Sequence, residues 1–413
     1  MENRAGIVVL ACVIGACGGG ESRWAGTITD SAGVTIVSNT DVGLWAPGEE
    51  WTVEEELRIG ALDGPAEYQI GQVGSIAIDS KERILVLDRQ AQHIRVYSPD
   101  GVYDETIGAR GGGPGELAYA MALLIGPGDT LLVPDLQNLR FSRYAPDGSS
   151  TGSIRLDPEG AFPMAFKAAA SGTIVEQIRQ FALPGQPAIE NPKDMLVRLA
   201  SDGSVTDTFM TFPSGKSQRF DGNVHLFATE PVWDVTGYSE IILGMSDEYR
   251  IGIYPGGQLE RIIAKTVEPV AVTDQDKATI FDELERRWTA MNMPADVQRR
   301  ARERFNFAEY VPPVLALAAG PAGTIWVQHM RPPSELSEEE LASVREDHPE
   351  DLGAAEWDVF DGEGRYLGVV TMPDRFSPSL FRDDKIYGVW RDELNVEYVL
   401  RLRIVGDLGI GAT

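Results

Sequence analysis

The chain has 413 residues, of which 43% are apolar, and a formal charge of −27. That apolar fraction supports a large core and excludes an intrinsically disordered chain. The acidity excludes nucleic acid as a default partner and sets the body as a whole against anionic lipid headgroups, while keeping the chain soluble.

The chain opens MENRAGIVVLACVIGACGGGES. Arg4 is a one-residue basic region. Gly6 to Ala16 is apolar, but far shorter than the roughly 20 residues that span a bilayer. Such a run ending in small residues predicts a signal peptide over 1–16. Ile14-Gly15-Ala16-Cys17 resembles a bacterial lipobox, with Gly18, Gly19, Gly20 and Glu21 as a flexible tether. The resemblance implies cleavage before Cys17 and a thioether-linked lipid on its sulfur; Cys12 has too short a run before it to serve. Cys12 and Cys17 are the two cysteines of the chain. The mature protein would then carry neither a free thiol nor a disulfide, which suits an oxidising compartment. The alternative is an ordinary secretory signal with incidental cysteines. A tether is expected over 17–33, and one folded unit over 34–413.

Short β-rich apolar runs then recur: ILVLD at 84, LLVPD at 131, IVEQI at 174, IILGM at 241, IWVQH at 325 and IYGVW at 386. Each is followed by a second alternating run, and five of these end at SPDG, APDG, ASDG, YPGG or FDGEG. Asp-Gly supplies the positive φ of a two-residue hairpin. A third run follows each turn, and a further run such as GSIAID or VLALAAG precedes each unit. The first two units lie 47 residues apart, close to the period of known propeller blades. Six units of four strands predict an all-β, six-bladed β-propeller. The chain ends before the sixth unit gains its fourth strand, so an N-terminal strand must close the ring, from GVTIVSN or WTVEEELRIG. A sandwich would not explain the repeat.

Two insertions break the period. Residues 272–310 offer Thr273 or Asp274 as a helix cap and Pro294 as the start of a second helix. Residues 333–353 offer Ser334 or Ser337 as a cap before an acidic first turn.

IGARGGGPGEL, residues 107–117, falls between the outer strand of the first blade and the inner strand of the second. A dinucleotide cradle needs a strand, G-x-G-x-x-G and a helix; here Pro114 and a strand follow. The stretch Ile107-Gly108-Ala109-Arg110-Gly111-Gly112-Gly113-Pro114-Gly115-Glu116 resembles a motif of bacterial six-bladed β-propeller lipoproteins, relatives of NHL-repeat proteins, with Leu117 where the family carries an aromatic. Asp88 to Gly101 is also NHL-like. The resemblance runs over most of 50–405, strongest over 70–160. It implies the propeller fold and an envelope lipoprotein but no substrate. Gly18 after the lipobox cysteine implies the outer membrane in a diderm host.

No catalytic motif stands out. The four histidines, His93, His225, His329 and His348, have no zinc-ligand spacing, and neither G-x-S-x-G nor a calcium loop occurs. Some NHL-like lyases hold a channel metal with histidines; only His329 sits at a matching blade position. Aligned second strands bring Asp88, Arg89, Asp135, Arg179, His329 and Arg391 to one face, called the top, where the glycine loop adds Arg110 and Glu116. With the arginines of the first insertion these make a candidate anion or carboxylate site. The competing reading is structural: Asp88 and Asp135 cap turns, the arginines pair with carboxylates, and the RRARERF helix turns Trp288 and Phe305 inward. The leading expectation is a non-catalytic envelope lipoprotein that binds a ligand or an envelope protein through its top face. A hydrolase or lyase using Asp88, Asp135 and Glu116 around a channel cation is the alternative, and a purely structural protein the third. Exposed Trp288 or Phe307 would favour protein partnering.

Overall fold

In the computed structural model, residues 23–156, 161–169, 171–180, 189, 191–200, 203–215, 223–344 and 349–408 are described; the expected signal peptide and Cys17 lie outside them. Each of the six apolar runs forms the second strand of an antiparallel sheet: Ile84–Asp88, Leu131–Asp135, Ile174–Gln180, Ile241–Met245, Ile325–Met330 and Lys385–Arg391. These strands are packed on both faces, which is why they read as continuous apolar runs rather than alternating ones.

The sheets are the blades of a six-bladed β-propeller. Blade 1 is Val73–Ile78, Ile84–Asp88, His93–Tyr97 and Tyr103–Ile107. Blade 2 runs from Leu124–Ile125 to Ser150–Arg155, and blade 3 from Ala161–Ala168 to Val205–Pro213. Blade 4 runs from Pro231–Val235 to Arg261–Lys265, and blade 5 from Ala316–Ala319 to Tyr366–Thr371. Blade 6 starts at Phe376–Arg382. The core is divided among the seams: Leu87 and Val133 meet between blades 1 and 2, Leu124 and Val197 between 2 and 3, and Val175 and Trp233 between 3 and 4. Ile251 and Val327 meet between 4 and 5, Trp326 and Leu400 between 5 and 6, and Val399 and Val86 between 6 and 1. Pairing alternates in direction, so the turns after second strands and the connections between blades share one face, the top. The hairpins after first and third strands share the bottom.

The hairpin turns differ from the expected two-residue type. Ser98 N donates to Val102 O at 2.8 Å and Gly101 N to Ser98 O at 2.9 Å, so three residues form the loop. The same pair of bonds joins 145 to 149, 200 to 204 and 361 to 365. This is a type I turn closed by a left-handed glycine and a bulge, with positive φ at the glycine alone. Gly148 shows a second reason for glycine: φ is +75°, and a Cβ would lie 2.9 Å from Ile107 of the preceding blade.

The ring closes with WTVEEELRIG: Thr52–Ile59 pairs antiparallel with Glu397–Val405 as the outer strand of blade 6. The other candidate, Val34–Asn39, instead lies parallel against the outer strand of blade 4, and Thr27–Ser31, inside the segment expected to be tether, pairs with it. Between them, Leu44 N and Trp45 N bond the carbonyls of Tyr366 and Leu367 on the edge of blade 5. The N-terminal segment is thus a strap over edges that would otherwise be open.

Both insertions contain helices and both rise from the top. The first holds α1 (Asp274–Ala290) and α2 (Ala295–Arg302), the second α3 (Glu338–Ser343). Thr273 with Asp276 and Ser337 with Glu340 form capping boxes, each satisfying two orphan ends of the backbone. No helix among the described residues is long and apolar enough to cross a membrane.

Candidate functional site

The glycine loop is a knot tied to blade 2. Glu116 Oε2 accepts from Gly113 N at 2.7 Å, which uses up an amide a phosphate would need. Arg140 Nη2 donates to Gly113 O at 2.7 Å and Glu116 O at 2.8 Å, while Asn138 Nδ2 donates to Gly111 O and Tyr144 OH to Gly115 O. A Cβ at Gly111 would fall 2.1 Å from Glu116 Oε2. The loop's carbonyls accept from the Arg140 guanidinium and from the neutral donors of Asn138 and Tyr144, the opposite polarity to an anion cradle.

Asp88 and Asp135 play one structural role in two blades. Asp88, 2% exposed, accepts from Ala91 N at 2.9 Å and from Gly71 N at 3.1 Å, and holds Arg95 at 3.6 Å. Asp135, fully buried, accepts from Ala118 N, Tyr119 N and Asn138. Each carboxylate caps the turn after its own strand and fastens the chain arriving from the preceding blade. Arg110 donates to Gln90 O. Arg89 is half-buried, and its Nε is buried without a partner.

Arg179 and Arg391 are internal as well. Arg179 grips Asp194 with Nε at 2.8 Å and Nη2 at 2.9 Å; Gln177 donates to the same carboxylate and accepts from Trp233 Nε1 across the seam to blade 4. Arg391 forks onto Asp351 of the second insertion. The predicted Asp88, Asp135, Arg179 and Arg391 are thus each held by partners within the chain. Among the described residues, no group of three or more His, Cys, Asp or Glu is placed to hold a metal.

His329 belongs to a cluster the sequence did not reveal. Asp358 Oδ2 accepts from Tyr249 OH at 2.6 Å, Lys265 Nζ at 2.9 Å and His329 Nε2 at 2.9 Å, and its Oδ1 from Tyr366 OH at 2.9 Å. Burial works against the charge on Asp358, but the His329 bond and the Lys265 ammonium outweigh it and hold the carboxyl down to about 2. The Tyr249 hydroxyl is pushed well up by burial and by Asp358. A carboxylate held ionised by four donors locks the seam between blades 4 and 5 and is a poor proton acceptor. The readable signal was a charge inside the buried run WDVF at 357–360.

The lid is built from both insertions. Asp276 Oδ1 accepts from Ser334 N at 3.0 Å and Arg287 donates to Val344 O, which fastens α1 to the second insertion. Phe281, Leu284 and Trp288 form its core, with Phe305 and Phe307 packed against them. Trp288 is therefore buried inside the lid, and Phe307 is half-buried against Phe281 and Phe227. Phe305–Phe307 also pairs parallel with Val224–Leu226, the connection into blade 4. On the opposite face, a cavity of about 380 Å³ between blades 4 and 5 is lined by Tyr238, Glu240, Glu260 and Arg261 among others.

A family profile described as a 6-bladed beta-propeller matches residues 58–167. Two solved structures share the fold. A Bacteroides fragilis protein described as exported is 13% identical with a TM-score of 0.51, over 90% of this chain and 99% of its own. A member of the DUF4221 family from Bacteroides vulgatus is 13% identical with a TM-score of 0.52, over 87% and 99%. A Staphylococcus aureus virginiamycin B lyase aligns over 86% and 100% at 11% identity, with a TM-score of 0.43. No curated protein matches the chain.

Proposed function

We propose that the protein is an extracytoplasmic propeller, lipid-anchored through Cys17, that works by binding, with the lid-bearing top face as its contact face. One observation carries the reading. Two insertions, separated in sequence by a strand pair of blade 5, converge on the same face and lock into one lid with its own core. Elaboration concentrated on one end of a rigid scaffold is where recognition resides. The buried carboxylates and arginines beneath give that end its shape, since their hydrogen bonds are spent within the chain.

A photo-crosslinking side chain placed at Arg299 on the lid, at Tyr119 beside the glycine loop, or at Tyr238 on the bottom tests this in intact envelopes. Discrete adducts, protein or lipid, are expected from Arg299 and Tyr119 and not from Tyr238. Adducts confined to Tyr238 would overturn the choice of face.

A further inference from the structure

The bottom face has a gap at one seam. Each blade's first and second strands are joined there by a hairpin, and from blade 1 to blade 4 neighbouring hairpins touch. Ser80 N donates to Asp129 Oδ1 at 2.9 Å between blades 1 and 2. A Cβ on Gly172 would lie 3.5 Å from Pro127 between blades 2 and 3. Ser239 and Thr173 share a hydroxyl–hydroxyl bond of 2.9 Å between blades 3 and 4. Between blades 4 and 5 the facing hairpins carry glycine instead. A Cβ on Gly237 would meet nothing within 4 Å, and one on Gly323 nothing nearer than Gly362 at 4.0 Å. The cavity of about 380 Å³ opens at this seam, bordered by Thr35 of the strap, whose N–H donates to Glu260 O at 2.9 Å. Its volume falls in the range of small-molecule sites, roughly 300–1,000 Å³.

The lining carries unspent charge of both signs. Arg261 Nη1 donates to Gly362 O at 2.5 Å, which leaves its Nε–Nη2 edge, able to grip a carboxylate side-on. Glu240 accepts from the Thr236 hydroxyl at 3.3 Å, and the Glu260 carboxylate has no partner among the described residues. Arg83, Arg179 and Arg391 each grip a carboxylate of the chain. Arg261 forms no ion pair among the described residues, although it lines one cavity with Glu240 and Glu260. The Tyr238 ring beside them is 80% exposed, while the adjoining Ser239 is tied back to blade 3.

One guanidinium and two carboxylates are the complement of a molecule with one carboxylate and two cationic groups. We propose that the cavity binds a basic amino acid, lysine or arginine. Its α-carboxylate sits on the free edge of Arg261, its ammonium and side-chain cation meet Glu240 and Glu260, and its aliphatic stem runs along Tyr238. A neutral sugar would use the aromatic ring and the carboxylates but leave the guanidinium unmatched. The charge of −27 draws cations toward the chain and adds to the preference. The site is on the face opposite the lid and does not depend on the anchor. A bound amino acid leaves no protein or lipid adduct at Tyr238, so the contact face proposed above and this site can fail separately.

The test is calorimetric titration of the full-length chain in detergent, at low salt, with L-arginine and L-lysine. Each should bind once per chain, tighter than about 1 mM. Norleucine, which lacks the side-chain cation, and agmatine, which lacks the α-carboxylate, should bind at least about tenfold more weakly. Glu260→Gln should weaken arginine by about tenfold or more. Ala322→Gln, at an exposed position of the lining, fills the gap and should abolish binding while leaving the urea midpoint unchanged. No binding of either amino acid to the natural chain overturns the proposal. So does norleucine or maltose binding as well as arginine, or arginine binding unchanged in Glu260→Gln and Ala322→Gln.

Discussion

Glu176 offers the sharpest physical test of the fold. It lies in the second strand of blade 3 between Ile174 and Ile178, which pack with Leu124, Leu132 and Phe141 across the seam to blade 2. The residue is 4% exposed. Burial in these apolar surroundings pushes its carboxyl from the ordinary 4.5 up to about 7. The folded state therefore binds this proton more tightly than the unfolded chain does. The group's contribution to stability is present in full below pH 4.5, is lost as the pH rises toward 7, and is flat above. The shift corresponds to about 3 kcal/mol between the two limits. Glu176→Gln carries no charge at any pH, so its stability relative to the natural protein should rise by about that amount between pH 4.5 and pH 8. Near pH 4.5 the two should be close, since a neutral amide replaces a neutral acid of similar size. Urea unfolding followed by tryptophan fluorescence at pH 4.5, 6 and 8 measures this. A constant offset between the two midpoints at every pH would refute the placement of Glu176 in an apolar seam.

Asp358→Asn should cost about 3 kcal/mol or more at neutral pH, because it leaves the Lys265 ammonium buried without its carboxylate. The natural carboxyl, held at about 2, contributes stability that is lost as the pH falls from 3.8 toward 2, so the difference between the two proteins should shrink over that window in acid unfolding curves. Gly148→Ala combines a positive φ of +75° with a contact on Ile107 and should cost about 2–4 kcal/mol by urea midpoint. Gly33→Ala, at +86° with open space around it, should cost only the backbone share of about 1–2 kcal/mol. Thr273→Ala removes one half of the capping box and should weaken α1 by about 1 kcal/mol, seen as faster amide exchange over 274–290 with the global urea midpoint unchanged.

The blades were legible because a strand packed on both faces must be apolar throughout, and ILVLD, LLVPD and IILGM say so directly. The lid helices were legible from their caps and from the period that turns Trp288 inward, while Phe305, expected at the end of the second helix, lies in the strand that follows it. Strap and closing strand were not separable, since VTIVSN and TVEEELRI both alternate; which blade edge each meets depends on the closed ring. The candidate site was legible only as a face. Asp88 and Asp135 stand at the same position of their strands and Arg179 one residue further along its own, but Gly71 and Asp194, which hold Asp88 and Arg179, come from other strands and connections. Asp358 joins a lysine, a histidine and two tyrosines from two blades, and no spacing in the sequence encodes that meeting.

The intact mass of the mature protein extracted from membranes tests the anchoring at the centre of this reading most directly. A chain beginning at Cys17 and heavier than its sequence by a thioether-linked diacylglyceryl group is the expected result, with Cys17→Ala released from the membrane. An unmodified chain, or one cleaved elsewhere, would contradict it.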